Sequence, residues 1–560
     1  MQRTDSTRLT EAVAREVALR ANAKVLVVPA ISRIDSTYLL TMRIVDPGSG
    51  SDLRTRSDRA EGRGRVLTTL DRLVRGLRRD LGESRSELAA NGVRLDQATT
   101  PSLDALLAWT EGNAAWNSRR FDDAEERYRA ALGYDPQFAM ANAMLGAYFS
   151  YIGRPDSSQV HFEAALAELD HLTEREQLRI RASYEQSVGN LPAAIRAQEV
   201  FVERYPDDLA EVYNLGSIYM RGRRPADAIR VLRDVVARDS TYVAAFINLA
   251  TSHAINGTYA EAMPYYRRAF ALRPDYRVSG NLNHEYGLAF LRLGQLDSAE
   301  ATYRAMLDGT VFQQASGRRS LALLRMYQGR YAEAAGELET AVRLTRVSRE
   351  PVSEFRNLLY LATVRTTAGR APEALTAVRA AHGIADTLPL ASPWLARLAT
   401  RYHRLGDTGA VRRLLGLLRS RASANSPDDQ MAVIGTEARL ALASGDPAGA
   451  AERVREIQSL PGDSATEYEP LLATALDRMN QPAAADSAYR TVLGSLAPLG
   501  WEPQDDWLRA HLEFAELAER RGDTATSLEY YDRLLTLWRD GDRDLPPLVE
   551  ARRRAATLRR

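Results

Sequence analysis

Cysteine is absent from all 560 residues, which removes disulfides, thiolate metal sites and cysteine nucleophiles together. Lysine is almost absent as well: Lys24 stands alone, and the rest of the positive charge is arginine. Long apolar runs are missing. The longest, "VLVVPAI" at 25–31, is far short of a membrane span, and the amino terminus "MQRTDSTRLTEAVAREV" has no apolar core that could serve as a signal peptide. Net charge is nearly missing too, at +1 from 74 basic and 73 acidic residues, which gives no global argument for nucleic acid or an anionic membrane as partner. These absences predict a soluble, cytoplasmic chain with no membrane insertion and no nucleic-acid partner.

Catalytic signatures are also missing. The seven histidines (His161, His171, His253, His284, His382, His403 and His511) lie far apart, with no HExxH pair or carboxylate partner at metal spacing. Gly48 and Gly50, and Gly62 and Gly64, neither precede Lys-Ser/Thr nor complete GxGxxG, so they make no phosphate loop. No GxSxG elbow and no HRD or DFG set occurs. Carboxylates are abundant but stand at helix-surface spacing, as in "DDAEERYR", where Asp123 and Arg127 are placed to pair. The expectation is a protein that is not an enzyme and needs no cofactor or metal.

What is present is a repeat. Apolar residues at 45% and charged residues at 26% are the composition of a folded protein. In "YAEAMPYYRRAFALRPDY", Ala262, Tyr266, Ala269 and Pro274 mark one helix face and its end. Equivalents of Ala262 occur at Ala124, Ser158, Ala194, Ala228, Ala299, Ala334, Ala374, Val411, Ala450, Ala485 and Ser527, spaced 34 to 42 residues apart. Four residues later a large residue usually follows, as at Tyr128, Phe162, Leu232, Tyr303, Leu338, Tyr489 and Tyr531; Gln198 breaks this rule. Each unit has a first half carrying a small residue, such as Gly112, Gly146, Gly216 or Ala250. Small residues on both halves let two antiparallel helices cross closely, with Leu and aromatic residues filling the space around the crossing. Turn residues Gly153, Gly189, Gly257, Gly294, Gly329, Gly369, Gly406, Gly445 and Gly522 separate the halves, and Pro136, Pro206 and Pro274 stop the second helix.

From about Pro101 to Trp538 the chain therefore resembles the tetratricopeptide-repeat family, most strongly between Leu106 and Leu307. The resemblance implies a mainly α fold, an α-α superhelical solenoid whose first helices line a concave groove that binds a peptide or protein. On that geometry the groove-facing candidates are Trp109, Asn113, Trp116, Tyr213, Asn214, Arg221, Asn248, His284 and Arg292. Asparagines at 214 and 248 have a plainer reading as braces between repeats, and Trp109 one as packing under the amino-terminal domain.

Residues 1–90 read as a small α+β domain: a helix in "TEAVAREVALRANA", strands in "KVLVVPAISRID" and "STYLLTMRIVD" around Asp35-Ser36, a third strand after "GSGSD", and a closing helix in "GRVLTTLDRLVRGLRRDLGE". The order of "AREVALRANAKVLVVPAISRIDSTYLLTMRIVDPGSG", and of the junction "TTPSLDALLAWTEGNAAWNSRRFDDAEERYRAAL", resembles the TolB-like domain that precedes tetratricopeptide repeats in bacterial signalling proteins. Those relatives carry a further strand and helix, and often a serine/threonine kinase or adenylate cyclase domain, upstream. The resemblance implies either a reduced member or a chain starting at a late methionine. The expected layout is a linker at 91–100, well-formed units at 101–345, degenerate helical hairpins at 346–540 and a capping helix at 541–560, in "DLPPLVEARRRAATLRR", whose basic cluster reads as a solvated face.

Overall fold

A computed structural model describes residues 10–20, 23–83, 100–117, 120–152, 154–222, 224–278, 280–423, 426–460, 467–494 and 503–560. The linker expected at 91–100, all but its last residue Thr100, and the turn at Gly153 lie outside them. The chain divides into two compact units, 1–207 and 208–560.

The first unit opens with α1 (Glu11–Arg20), β1 (Leu26–Ile34), β2 (Thr37–Val45), β3 (Asp52–Glu61) and α2 (Val66–Asp80). The strands form an antiparallel meander in the order β1-β2-β3, with Ile34 opposite Thr37 and Thr37 opposite Glu61. The two-residue turn predicted at Asp35-Ser36 is there, Asp35 taking a positive φ of 52°. Alternation along β2 sends Leu40, Met42 and Ile44 inward against Val66, Leu73 and Leu77 of α2. Asp80 at the end of α2 accepts from Arg54 and Arg56 of β3, tying helix to sheet. Leu103 packs on the same core, so the sheet domain is joined to the first repeat within this unit. Three hairpins follow: α3 (Leu103–Asn117) with α4 (Phe121–Tyr134), α5 (Ala139–Tyr151) with α6 (Pro155–Ala167), and α7 (Glu174–Ser187) with α8 (Leu191–Arg204).

The second unit is wholly helical among its described residues. Its hairpins are α9 (Leu209–Arg221) with α10 (Pro225–Arg238), α11 (Val243–Ile255) with α12 (Tyr259–Leu272), and α13 (Gly280–Arg292) with α14 (Leu296–Ala305). Two longer ones follow, α15 (Val311–Tyr327) with α16 (Tyr331–Val347) and α17 (Pro351–Thr367) with α18 (Ala371–Ala385), and then α19 (Ser392–Arg404) with α20 (Thr408–Arg421). The last are α21 (Pro427–Ala443) with α22 (Pro447–Ser459), α23 (Glu469–Arg478) with α24 (Pro482–Gly494), and α25 (Pro503–Arg520) with α26 (Thr524–Leu537), before the single helix α27 (Pro546–Leu558).

The repeated small residues do what their spacing predicts. Ala124, Ala194, Ala228, Ala262, Ala299 and Ala334 have no exposed surface. The large residue four positions on then seats on the first helix: a Cβ placed on Gly112, Gly146 or Gly216 would come within 2.6 Å of Tyr128, Phe162 or Leu232 respectively. No methyl group fits at these three crossings, which is why glycine stands there. The turn glycines from Gly189 to Gly522 take φ between 73° and 81°, a left-handed conformation that Asn480, at φ 55°, supplies between α23 and α24. Asp123 does not pair with Arg127: Arg120 takes Asp123, and Arg127 reaches across to Glu111 of the partner helix.

Within the second unit the last hairpins return to earlier ones. Trp538, 1% exposed, packs over Gly329 and edge-on to Tyr331. The Asp542 N–H donates to the Gly329 carbonyl at 3.0 Å, and its carboxylate accepts from the Ala332 N–H at 2.7 Å. Trp507 stacks on Tyr327, and Asp505 accepts from Thr367 and Arg404. Helices α15 to α26 thus form a closed ring. On α27, Leu548, Ala551 and Ala555 are buried, while Arg553, Arg554 and Arg559 pair with Glu550, Glu519 and Asp532.

Candidate functional site

The nine sequence candidates fall in both units. In the first, Trp109 is half-buried against Phe138, at 5.9 Å between ring centroids, and belongs to the cores of the first repeats rather than to that of the sheet. Asn113 accepts a hydrogen bond from the Tyr128 hydroxyl at 2.9 Å, so it braces its own hairpin. Trp116 is half-buried and stacks edge-on with Phe121 and Tyr151, the latter 63% exposed.

In the second unit, α9 and α11 lie side by side. Asn248 donates to the Tyr213 hydroxyl at 3.1 Å and to Ser217 Oγ at 3.0 Å across that seam. Tyr213 also lies against Tyr242, 5.0 Å between centroids, which leaves its ring half-buried and firmly held. Asn214 is exposed and donates to Glu211, and Arg221 is exposed on the same helix. The next seam is closed by the Thr251 hydroxyl donating to Glu285, whose burial raises its pKa from the ordinary carboxylate value.

His284 and Arg292 sit differently. His284 is 6% exposed, beneath Ser320 of the longer helix α15 and stacked on Tyr303. Burial, reinforced by the Arg319 and Arg356 charges, pushes its pKa down to about 3. It is an interior imidazole rather than a surface group. Arg292 is half-buried and engaged with the Tyr259 hydroxyl. The face that stays open is Tyr213, Asn214, Arg221 and Asn248.

A second feature was not found from sequence. The closed ring encloses a cavity of about 850 Å³ lined by the inner faces of α17, α19, α21, α23 and α25 and by the start of α27. Arg404 and Arg478 stand two residues before the turns at Gly406 and Asn480; Thr400, Arg439 and Thr474 stand six before theirs. Positions four apart share a helix face, so this register brings all five to one interior surface. Only the closure of the ring makes that surface a cavity, and no local pattern announces the closure.

Comparison with known proteins agrees with the hairpins. The family profile described as tetratricopeptide repeat matches residues 110–149, 213–277 and 319–389. The chain carries tetratricopeptide repeats. No curated protein matches it. Similar solved structures include MamA, 22% identical over 30% of this chain and 96% of that one, with a TM-score of 0.27. A tetratricopeptide-repeat protein from Parabacteroides merdae ATCC 43184 is 14% identical over 54% of this chain and 98% of its own, with a TM-score of 0.32. YrrB, described as having an unusual peptide-binding site, is 18% identical over 31% of this chain and 88% of its own, with a TM-score of 0.23. Likenesses this distant carry no functional argument. No helix among the described residues is long and apolar enough to cross a membrane.

Proposed function

We propose that this protein is a non-catalytic interaction scaffold that holds a peptide or protein partner on the concave face of its tetratricopeptide units. The observation that supports this most is the α9–α11 seam. There Asn248 and Tyr213 are locked to one another while Asn214 and Arg221 remain exposed beside them. An ordered aromatic edge flanked by an amide and a guanidinium offers apolar contact, backbone hydrogen bonding and charge at little entropic cost to a partner segment.

The test is affinity capture on the full chain and on Tyr213→Ala/Asn214→Ala/Arg221→Ala, with Arg238→Ala on α10 as control. A partner retained by wild type and control but bound about ten- to a hundredfold more weakly by the triple variant supports the reading. Partners retained equally by all three refute it. The placement of a small α+β domain directly ahead of the repeats favours a second reading, in which the chain is the sensing or partner-recruiting arm of a kinase- or cyclase-linked signalling protein.

A further inference from the structure

The cavity inside the ring of α15 to α26 is chemically uneven. Its carboxylates are compensated: Glu467 pairs with Arg397 at 3.8 Å, Asp506 with Arg404, Glu513 with Arg509 at 2.6 Å, and Glu550 with Arg553 and Arg554 from α27. Two of its arginines are not. Arg439 donates to the Gly435 carbonyl at 2.9 Å, and Arg478 to the Leu442 carbonyl at 3.1 Å; among the described residues neither meets a carboxylate. Arg439 is 8% exposed and lies over the Tyr468 ring. Arg439 is buried with neutral partners alone and keeps most of its desolvation cost, while Arg478 is exposed at the cavity wall; among the described residues neither charge is paired with a carboxylate.

A third group points the same way. His403 lines the cavity, and its buried Nδ1 has no hydrogen-bond partner among the described residues. Burial first, then the charges of Arg439, Arg404, Arg478 and Arg509, push its pKa down to about 4, so at neutral pH the ring is uncharged and all four guanidiniums act on one neighbourhood. Thr400 and Thr474 add hydroxyls whose hydrogens go to Ala396 and Pro470 carbonyls. Leu471, Leu508 and Leu512 supply apolar wall. The volume is that of a small-molecule site rather than of a channel for a folded segment.

We propose that this cavity binds a small organic phosphate, its head group between Arg439 and Arg478 and its body against the leucine wall. A phosphate monoester carries roughly −1.5 to −2 at neutral pH, which matches the two spare charges, and its oxygens suit the donor forks of two guanidiniums. A single carboxylate leaves one charge uncompensated. This site is separate from the α9–α11 face and stands or falls independently of the interaction proposed there.

The experiment is calorimetric titration of the full chain with inorganic phosphate, glucose 6-phosphate, adenosine 5′-monophosphate and succinate at constant ionic strength. It is repeated on Arg439→Gln, Arg478→Gln and the surface control Arg412→Gln, an exposed residue of α20 outside the cavity lining. Binding of at least one phosphate probe, weakened about ten- to a hundredfold by each cavity substitution and unchanged in the control, is the expected result. No binding of any phosphate probe, binding of succinate alone, or phosphate binding that survives both cavity substitutions overturns the proposal. Because a cavity variant could lose its fold, the wild-type His403 imidazole resonances are followed in parallel by NMR. They shift on adding inorganic phosphate if the site is real, and stay fixed if it is not.

Discussion

Gly216→Ala and Gly336→Ala are the same substitution in two helix interiors, and the structure gives them opposite signs. Gly216 lies on α9 beneath Leu232, and a methyl group there would come within 2.6 Å of Leu232 Cγ and 2.7 Å of Cδ2. Leu232 has no exposed surface and so nowhere to move. Overpacking of this kind costs about 1–3 kcal/mol, against about 1 kcal/mol gained from the better helix propensity of alanine. The net expectation is a loss of up to about 2 kcal/mol. Gly336 on α16 is exposed, and an added Cβ meets nothing within 4 Å, so the propensity gain stands alone at about 0.5–1 kcal/mol. Urea unfolding followed by circular dichroism gives the sign. Hydrogen exchange of α9–α10 and of α15–α16 places it, because long repeat arrays do not unfold as a single step. If Gly216→Ala stabilises as much as Gly336→Ala, the large residue does not seat on the glycine and the packing argument fails.

Three further outcomes follow. Trp538→Ala removes a ring 1% exposed from over Gly329 and costs about 3–5 kcal/mol; faster exchange at the α15–α16 turn and in α26 checks it, with β1 to β3 unaffected. His284, whose folded pKa is about 3 against an ordinary value near 6.5, binds its proton more readily when unfolded. Its contribution to stability is therefore present above pH 6.5 and lost as pH falls toward 3, amounting to about 2–3 kcal/mol at pH 4.5. In His284→Gln the fall in urea midpoint between pH 7 and pH 4.5 is correspondingly shallower, and an unchanged fall refutes the burial argument. Asn248→Ala severs the bridge between α9 and α11 and costs about 1–2 kcal/mol; the increase in exchange is confined to those two helices.

The legible part of the fold was its local chemistry. A small residue, a large one four positions on and a turn glycine each describe a contact inside one hairpin. Those contacts recur in the structure from Ala124 and Tyr128 to Ser527 and Tyr531. Asp35 marked its turn for the same reason, since a two-residue connection needs positive φ. What needed three dimensions was anything set by superhelical curvature. His284 reads as a groove residue by register, but the extra length of α15 carries Ser320 over it. The ring closure depends on Gly329 meeting Trp538 and Asp542, more than two hundred residues away, and no hydrophobic period reports such a meeting.

Partner binding on the α9–α11 face is tested most directly by site-specific photocrosslinking in the source cells. A photoreactive side chain is placed at Asn214, or at the exposed Ala237 of α10 as the comparison position. A discrete adduct from position 214, absent from 237 and lost when Tyr213→Ala and Arg221→Ala are added, is the expected result. Adducts of equal yield from both positions, or from 237 alone, would contradict binding on the concave face.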